Sequence, residues 1–208
     1  MAQFFSIHPD NPQLRLIHQA AQILRAGGLI VYPTDSCYAL GCRLDDREAL
    51  DRIRAIRGLD ARHHFTLVCR DLSEVSRYAK VDNQQFRLLK SATPGSYTFI
   101  LEATREVPKR LQHPKRSTIG LRIPDHPVAR ALLEELDEAI LSTSLVLPGD
   151  ESPLNNAAEI RERLQDQVDL VIDSGACGVE MTTMVDLTGD GPQVLRDGKG
   201  SLAVFGLA

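Results

Sequence analysis

The run Leu29-Ile30-Val31-Tyr32, followed at once by Pro33-Thr34-Asp35-Ser36, constrains the fold of this chain more than any other stretch. Four apolar residues, two of them β-branched, suit a buried strand. Pro33 has no N–H and ends the pairing. Three short polar side chains then stand at the strand end, where open α/β sheets hold their ligands. Pro-Thr-Asp-Ser alone is an ordinary turn, so its meaning depends on the segments that accompany it.

Those segments alternate between helical and strand periods. Asn11-Pro12 predicts a helix start with a capping side chain and proline at the first position. Leu16, Ile17, Ala20, Ala21, Ile23 and Leu24 give that helix an apolar side, and Gly27-Gly28 ends it. Asp45-Asp46 opens a second helix with Ala49, Leu50, Ile53 and Ile56 facing inward. Phe65 to Cys69 and Tyr97 to Leu101 read as strands, and Asp71 and Asp82 as caps of two short helices between them. From Ser117 to Ile123 the period is two, with Ile119, Leu121 and Ile123 on one side and Thr118, Gly120 and Arg122 on the other. Asp125 is the expected cap of a helix containing Pro127. Ala139–Leu141, Val168–Asp173, Met184–Leu187 and Gln193–Leu195 complete the expected strands. Interleaved helices and strands predict one α/β domain over residues 1–208, built on a mixed sheet.

Net charge is −4, unevenly spread. The window from Arg52 to Arg122 holds 15 Lys and Arg against 6 Asp and Glu, and the remainder holds 9 against 22. A basic block in an acidic chain predicts a face that attracts an anion, either nucleotide phosphates or an RNA backbone, or else a solvated basic surface. The start of the chain lacks a basic segment followed by an apolar one, and no apolar run approaches a membrane span, so a cytoplasmic protein with no membrane partner is expected. Cys37, Cys42, Cys69 and Cys177 form no Cys-x-x-Cys pair and have no histidines at zinc spacing, so reduced thiols and no protein-bound metal are expected.

Polar residues gather at four strand ends: Thr34 to Ser36, Arg122, Ser142 to Ser144, and Thr182-Thr183 with Arg196. Hydroxyls and guanidinium groups suit carboxylates and phosphates. Walker-A, Gly-x-Gly-x-x-Gly and Gly-x-Ser-x-Gly patterns are absent. His63 and His64 are adjacent, so on an extended segment they point apart and do not share a metal; surface or strand-edge positions are expected for both. Alternation sets Arg122 apart from the apolar face of its strand, which suits a ligand-binding charge, with a structural ion pair as the competing role.

The order of segments resembles the YrdC-like family, which includes the threonylcarbamoyl-adenylate synthases of tRNA modification. The resemblance is carried by Val31-Tyr32-Pro33-Thr34-Asp35-Ser36, Ile53-Arg54-Ala55-Ile56-Arg57-Gly58 and Pro94-Gly95 with Thr98-Phe99. Gly120-Leu121-Arg122-Ile123-Pro124-Asp125-His126-Pro127, Leu141-Ser142-Thr143-Ser144, Thr182-Thr183-Met184-Val185-Asp186 and Val194-Leu195-Arg196-Asp197-Gly198 follow in family order. Phe4-Phe5-Ser6-Ile7-His8-Pro9-Asp10-Asn11-Pro12 is similar to the YciO branch in particular. The extra C-terminal domain of the longer family members has no counterpart in these residues.

The resemblance implies a twisted, mixed, open sheet with flanking helices and a basic concave face. It implies a reaction in which L-threonine and bicarbonate form a carbamate that attacks the α-phosphate of ATP, with Mg²⁺ screening the phosphates and pyrophosphate leaving. By the same resemblance, Tyr32, Thr34, Arg122 and Thr182 surround the small acid. Arg57, Ser142, Ser144 and Arg196 surround the nucleotide, and Arg57 is the catalytic cation.

Two motifs depart from the synthase pattern. Lys-x-Arg reads Arg57-Gly58-Leu59, and Ser-x-Asn reads Ser144-Leu145-Val146. Losing a phosphate-facing cation and an orienting amide would slow such a reaction on the order of 10²-fold or more. Arg62 is a candidate replacement for the cation. The Pro-Leu that commonly follows also reads Phe65-Thr66. Two functions therefore stand open at this point: a nucleotide-using enzyme of synthase type, or a double-stranded RNA or tRNA binder of the same fold with weak or no synthase activity.

Overall fold

A computed structural model describes residues 1–60, 63 and 65–206. Its strands are β1 (Gln3–Ser6), β2 (Ile30–Tyr32), β3 (Ala39–Arg43), β4 (Thr66–Val68), β5 (Tyr97–Glu102), β6 (Thr118–Arg122), β7 (Ile140–Ser144), β8 (Leu170–Asp173), β9 (Thr183–Asp186) and β10 (Gln193–Arg196). Its helices are α1 (Leu14–Arg25), α2 (Arg47–Arg57), α3 (Leu72–Tyr78), α4 (Asn83–Ala92), α5 (Pro127–Leu136) and α6 (Ala157–Leu164). The strands form one ten-stranded sheet in the order β1-β8-β2-β3-β7-β4-β6-β5-β9-β10. Parallel pairs (β1 with β8, β4 with β6) occur together with antiparallel ones (β3 with β7, β5 with β6), so the sheet is mixed.

One face of the sheet carries the larger core, in which Ala49, Leu50, Ile53 and Ile56 of α2 meet Leu40, Leu67, Leu121 and Leu141. On the other face α1 and α5 pack together over Ile30, Tyr32, Ala39, Val68 and Ile140. That second cluster contains no residue of β6, β5, β9 or β10. Helical cover therefore stops at β4, and the strand ends beyond it open into a concavity.

Local signals account for much of this. Asp46, Asp71 and Asp82 each accept N–H bonds from the first turn of the helix that follows, Asp82 within a capping box. Other expectations needed correction. The first helix starts at Leu14 and not at Pro12, with Gln13 at its cap and no side-chain bond there. Residues 8–13 form their own turn, in which His8 Nδ1 accepts from Asp10 and Asn11. His126, not Asp125, caps α5, accepting from the Val128 N–H through Nδ1 at 3.2 Å, with Pro127 at the first helical position.

β1 and β3 were not anticipated. Ala39-Leu40-Gly41-Cys42-Arg43 is poor in β-branched residues, and its place between β2 and β7 makes it a strand. Gly41 belongs there for a steric reason. A Cβ at this site would come within 2.8 Å of both the Tyr32 ring and Ile140, so only glycine lets the Tyr32 ring cross the strand. All four cysteines are free thiols, three buried and Cys177 partly exposed.

Candidate functional site

Where helical cover stops, the ends of β4, β6, β7 and β9 enclose a cavity of about 100 Å³. Arg57, Arg122, Ser142, Ser144, Thr182 and Arg196 all line it. Six of the residues expected at the site thus meet in one place, from four different elements and the segment before β9.

The turn after β2 builds one wall. The Thr34 hydroxyl donates to the Cys37 carbonyl at 2.6 Å and accepts the N–H groups of Ser36 and Cys37 at 3.2 Å each. Pro33 frees this turn from the sheet, and the threonine closes it. Arg122, 7% exposed, reaches it from β6. Its Nη1 donates to Ser36 Oγ at 3.0 Å and to Thr34 Oγ1 at 3.3 Å, and its Nη2 pairs with Asp35. Ser96 donates to the other Asp35 oxygen at 2.6 Å. Arg122 therefore makes the structural ion pair that was the competing expectation, and it lines the cavity as well.

A second wall comes from β7. Ser142 Oγ donates to the Leu40 carbonyl at 3.1 Å, which leaves the Tyr32 hydroxyl to donate to Ser142 Oγ at 2.8 Å. Tyr32 is fully buried, and burial pushes its pKa up to about 12, so it stays a neutral donor. Tyr32 and Thr34 consequently stand behind the cavity wall. They orient Ser142 and Arg122 and do not line the space.

The third wall pairs Thr98 with Thr182, hydroxyl to hydroxyl at 2.7 Å. Arg196 reaches across from β10, with Nε on the Thr182 carbonyl at 2.9 Å and Nη2 on its hydroxyl at 3.0 Å. Arg57 closes the rim from the C-terminal end of α2. Burial lowers the pKa of both Arg57 and Arg196 from the usual arginine value. Two guanidinium donors in this site, Arg57 Nε and Arg122 Nε, are buried with no acceptor among the described residues. Buried donors rarely go unpaired, and positive charge with spare donors calls for an anion.

The sequence reading missed several residues. His63, expected at the surface or a strand edge and given no site role, lies before β4 and lines the cavity, with Nε2 3.4 Å from Thr143 Oγ1 and its ring edge-on to Phe65. Met181, Met184 and Thr98 also contribute; strand alternation was the available signal for Met184 and Thr98. Conversely, Leu59 and Val146 do not line the cavity. Gly58 ends α2 in the left-handed region (φ 62°), and the turn sends Leu59 against the larger core. His64 and Arg62, the candidate replacement cation, lie outside the described residues.

The basic block is also less basic in space than in sequence. Arg52 pairs with Asp169, Arg70 with Asp71 and Asp137, Lys80 with Glu102, Arg116 with Asp186 and Arg122 with Asp35. Four of these acids, Asp169, Asp137, Asp186 and Asp35, fold back onto the block from outside it.

Comparison with known proteins bears on the family and the fold. Residues 22–198 match the family model of Sua5, YciO and YrdC proteins, described as telomere recombination. Over 205 residues the chain is 58% identical to the YciO protein of Escherichia coli K12, covering 99% of this chain and 100% of that one. The crystal structure of E. coli YciO superposes with a TM-score of 0.95 over the same shares of the two chains. Threonylcarbamoyl-AMP synthase of Chromobacterium violaceum is 35% identical over 161 residues, 77% of this chain and 82% of that one. P. abyssi Sua5 complexed with L-threonine is 26% identical with a TM-score of 0.86, over 94% of this chain and 57% of that chain.

Proposed function

This chain belongs to the Sua5/YciO/YrdC family, and we propose that it is a nucleotide-using enzyme of threonylcarbamoyl-AMP synthase type. The observation that carries the proposal is the pair of buried guanidinium donors, Arg57 Nε and Arg122 Nε, with no acceptor among the described residues, in a site that also holds Arg196. Arg122 Nε, with Thr182, takes the carboxylate of a small acid, while Tyr32 and Thr34 hold the wall in place. L-Threonine is the first candidate, since P. abyssi Sua5 has been solved with it. Arg57, Ser142, Ser144 and Arg196 take the phosphates of ATP.

In the proposed reaction, threonine and bicarbonate condense to a carbamate. A carbamate oxygen forms a bond to the α-phosphorus, the bond to the bridging oxygen breaks, and pyrophosphate leaves with that electron pair. No protein nucleophile is required. Arg57 offsets charge that develops on the departing phosphates, and the hydroxyl-lined walls fix the acid against the α-phosphate. Mg²⁺ would enter on the phosphates. Asp35 in the adjoining turn is already bonded to Arg122 and Ser96. Among the described residues no group of three His, Cys, Asp or Glu could hold a metal, whereas Mg²⁺ commonly binds through substrate phosphates. A cytoplasmic location goes with this reading. Among the described residues no helix is long and apolar enough to cross a membrane.

Pyrophosphate release from ATP, with threonine and bicarbonate each omitted in turn, tests the proposal. Release that needs all three supports it. Release independent of threonine identifies a different acid, and no heat with millimolar Mg-ATP or AMP in calorimetry removes the nucleotide reading. The pairing of the basic block with distant acids weakens the argument for RNA. Double-stranded RNA or tRNA binding with a steep salt dependence, in the absence of nucleotide binding, would reverse that ranking.

A further inference from the structure

We propose that His63 contacts the nucleotide phosphates and that its imidazolium form completes their binding site. The inference deepens the nucleotide reading above and rests on it. Asp35 offsets the charge of Arg122, which leaves Arg57 and Arg196 as the uncompensated arginines among the described cavity residues, fewer charges than a nucleoside triphosphate carries. His63 lies on the same cavity as Arg57 and Ser144. Thr143 Oγ1 lies 3.4 Å from its Nε2, and the Phe65 ring packs edge-on at 5.2 Å.

Several charged and titratable groups share its cavity. Arg57 lines it from α2, and Arg54 lies over the Phe65 ring. Arg122, paired with Asp35, lines it from β6, Arg196 from β10 and Cys37 from the turn after β2. Asp60 belongs to its own loop and accepts the His63 N–H through its carbonyl at 3.3 Å. An incoming phosphate favours the protonated ring, because a nearby anion stabilises its positive charge. Binding therefore takes up a proton, and the histidine's contribution to affinity fades as pH rises.

The test is calorimetric titration with Mg-ATP between pH 6.0 and 8.5, using wild type, His63→Gln, His63→Lys and His64→Gln. Taking the ratio of each variant's Kd to that of wild type at each pH cancels the ionisation of ATP itself. Expected is about a tenfold weaker Kd for His63→Gln at pH 6.0, converging on wild type at pH 8.5, the size of one charge-assisted hydrogen bond. His63→Lys should bind at pH 8.5 at least as tightly as wild type does at pH 6.0, and His64→Gln should follow wild type throughout. A His63→Gln ratio that stays constant with pH would overturn the inference while leaving the nucleotide reading intact. So would a lysine variant that binds no better than glutamine. Wild type that binds no nucleotide at any pH overturns both. Equal thermal midpoints of the two His63 variants guard against reading misfolding as lost contact.

Discussion

Arg57→Met separates a ligand-binding arginine from a structural one. Methionine keeps the apolar stem of Arg57 and deletes a guanidinium whose buried Nε finds no acceptor among the described residues. An unsatisfied buried polar group costs about 1–3 kcal/mol. Arg57 is half-buried, so the lower end applies and the variant should gain about 1 kcal/mol. In a chain of this size that raises Tm by roughly 2–4 °C. The same deletion removes a charge-assisted hydrogen bond to the phosphates, about 1.5–3 kcal/mol, or roughly 10- to 150-fold in Kd for Mg-ATP. Arg122→Met should behave in the opposite way toward stability. It strands the Asp35 carboxylate, 12% exposed and left with Ser96, and breaking such a buried pair costs about 3–5 kcal/mol. Urea denaturation and calorimetric titration on the two variants read both quantities. Arg57→Met that destabilises the fold by more than about 1 kcal/mol, or leaves nucleotide affinity unchanged, would refute the assignment of Arg57 to a ligand.

Three further outcomes follow from the same contacts. Burial works to raise the pKa of Asp186, but the hydroxyl and N–H of Thr188 together with Arg116 outweigh it and hold the carboxyl below its usual range. Its stabilisation is therefore complete above about pH 4 and lost as pH falls through the folded value; Thr188→Val should raise the midpoint of acid unfolding, seen by circular dichroism. Burial lowers the pKa of His126, whose Nδ1 must be unprotonated to cap α5. Stability should hold above about pH 6.5 and decline as pH falls toward the folded value, and His126→Asn, which retains a cap, should flatten that slope in thermal melts from pH 5 to 8. Leu59→Arg with Val146→Asn would restore the synthase motifs on paper. Because Leu59 packs on the core, the expected result is a loss of about 1–2 kcal/mol with no gain in threonine-dependent pyrophosphate release; a tenfold gain would show that position 59 reaches the cavity.

Features decided within a few residues were legible from the order of amino acids. The caps at Asp46, Asp71 and Asp82, the inward face of α2, the break at Pro33 and the period-two strand carrying Arg122 all rest on local hydrogen bonds or on alternation. The strand-end positions of Arg122, Ser142, Ser144, Thr182 and Arg196 were legible as well, whereas Arg57, at the end of α2, was expected at the site only through the family resemblance.

Tertiary structure decided the rest. β3 is a strand because β2 and β7 flank it, not because its residues favour one. Asp35 and Arg122 are 87 positions apart, and no local pattern announces that they neutralise each other; the same holds for Arg116 with Asp186 and Arg52 with Asp169. Whether Leu59 faces solvent, ligand or core turned on one left-handed glycine, Gly58, and on the core it meets after the turn. Capping and periodicity act over one turn of chain, so the sequence by itself carries them. Charge pairing and the direction of a loop side chain depend on what packs alongside, which exists only once the chain has closed on itself.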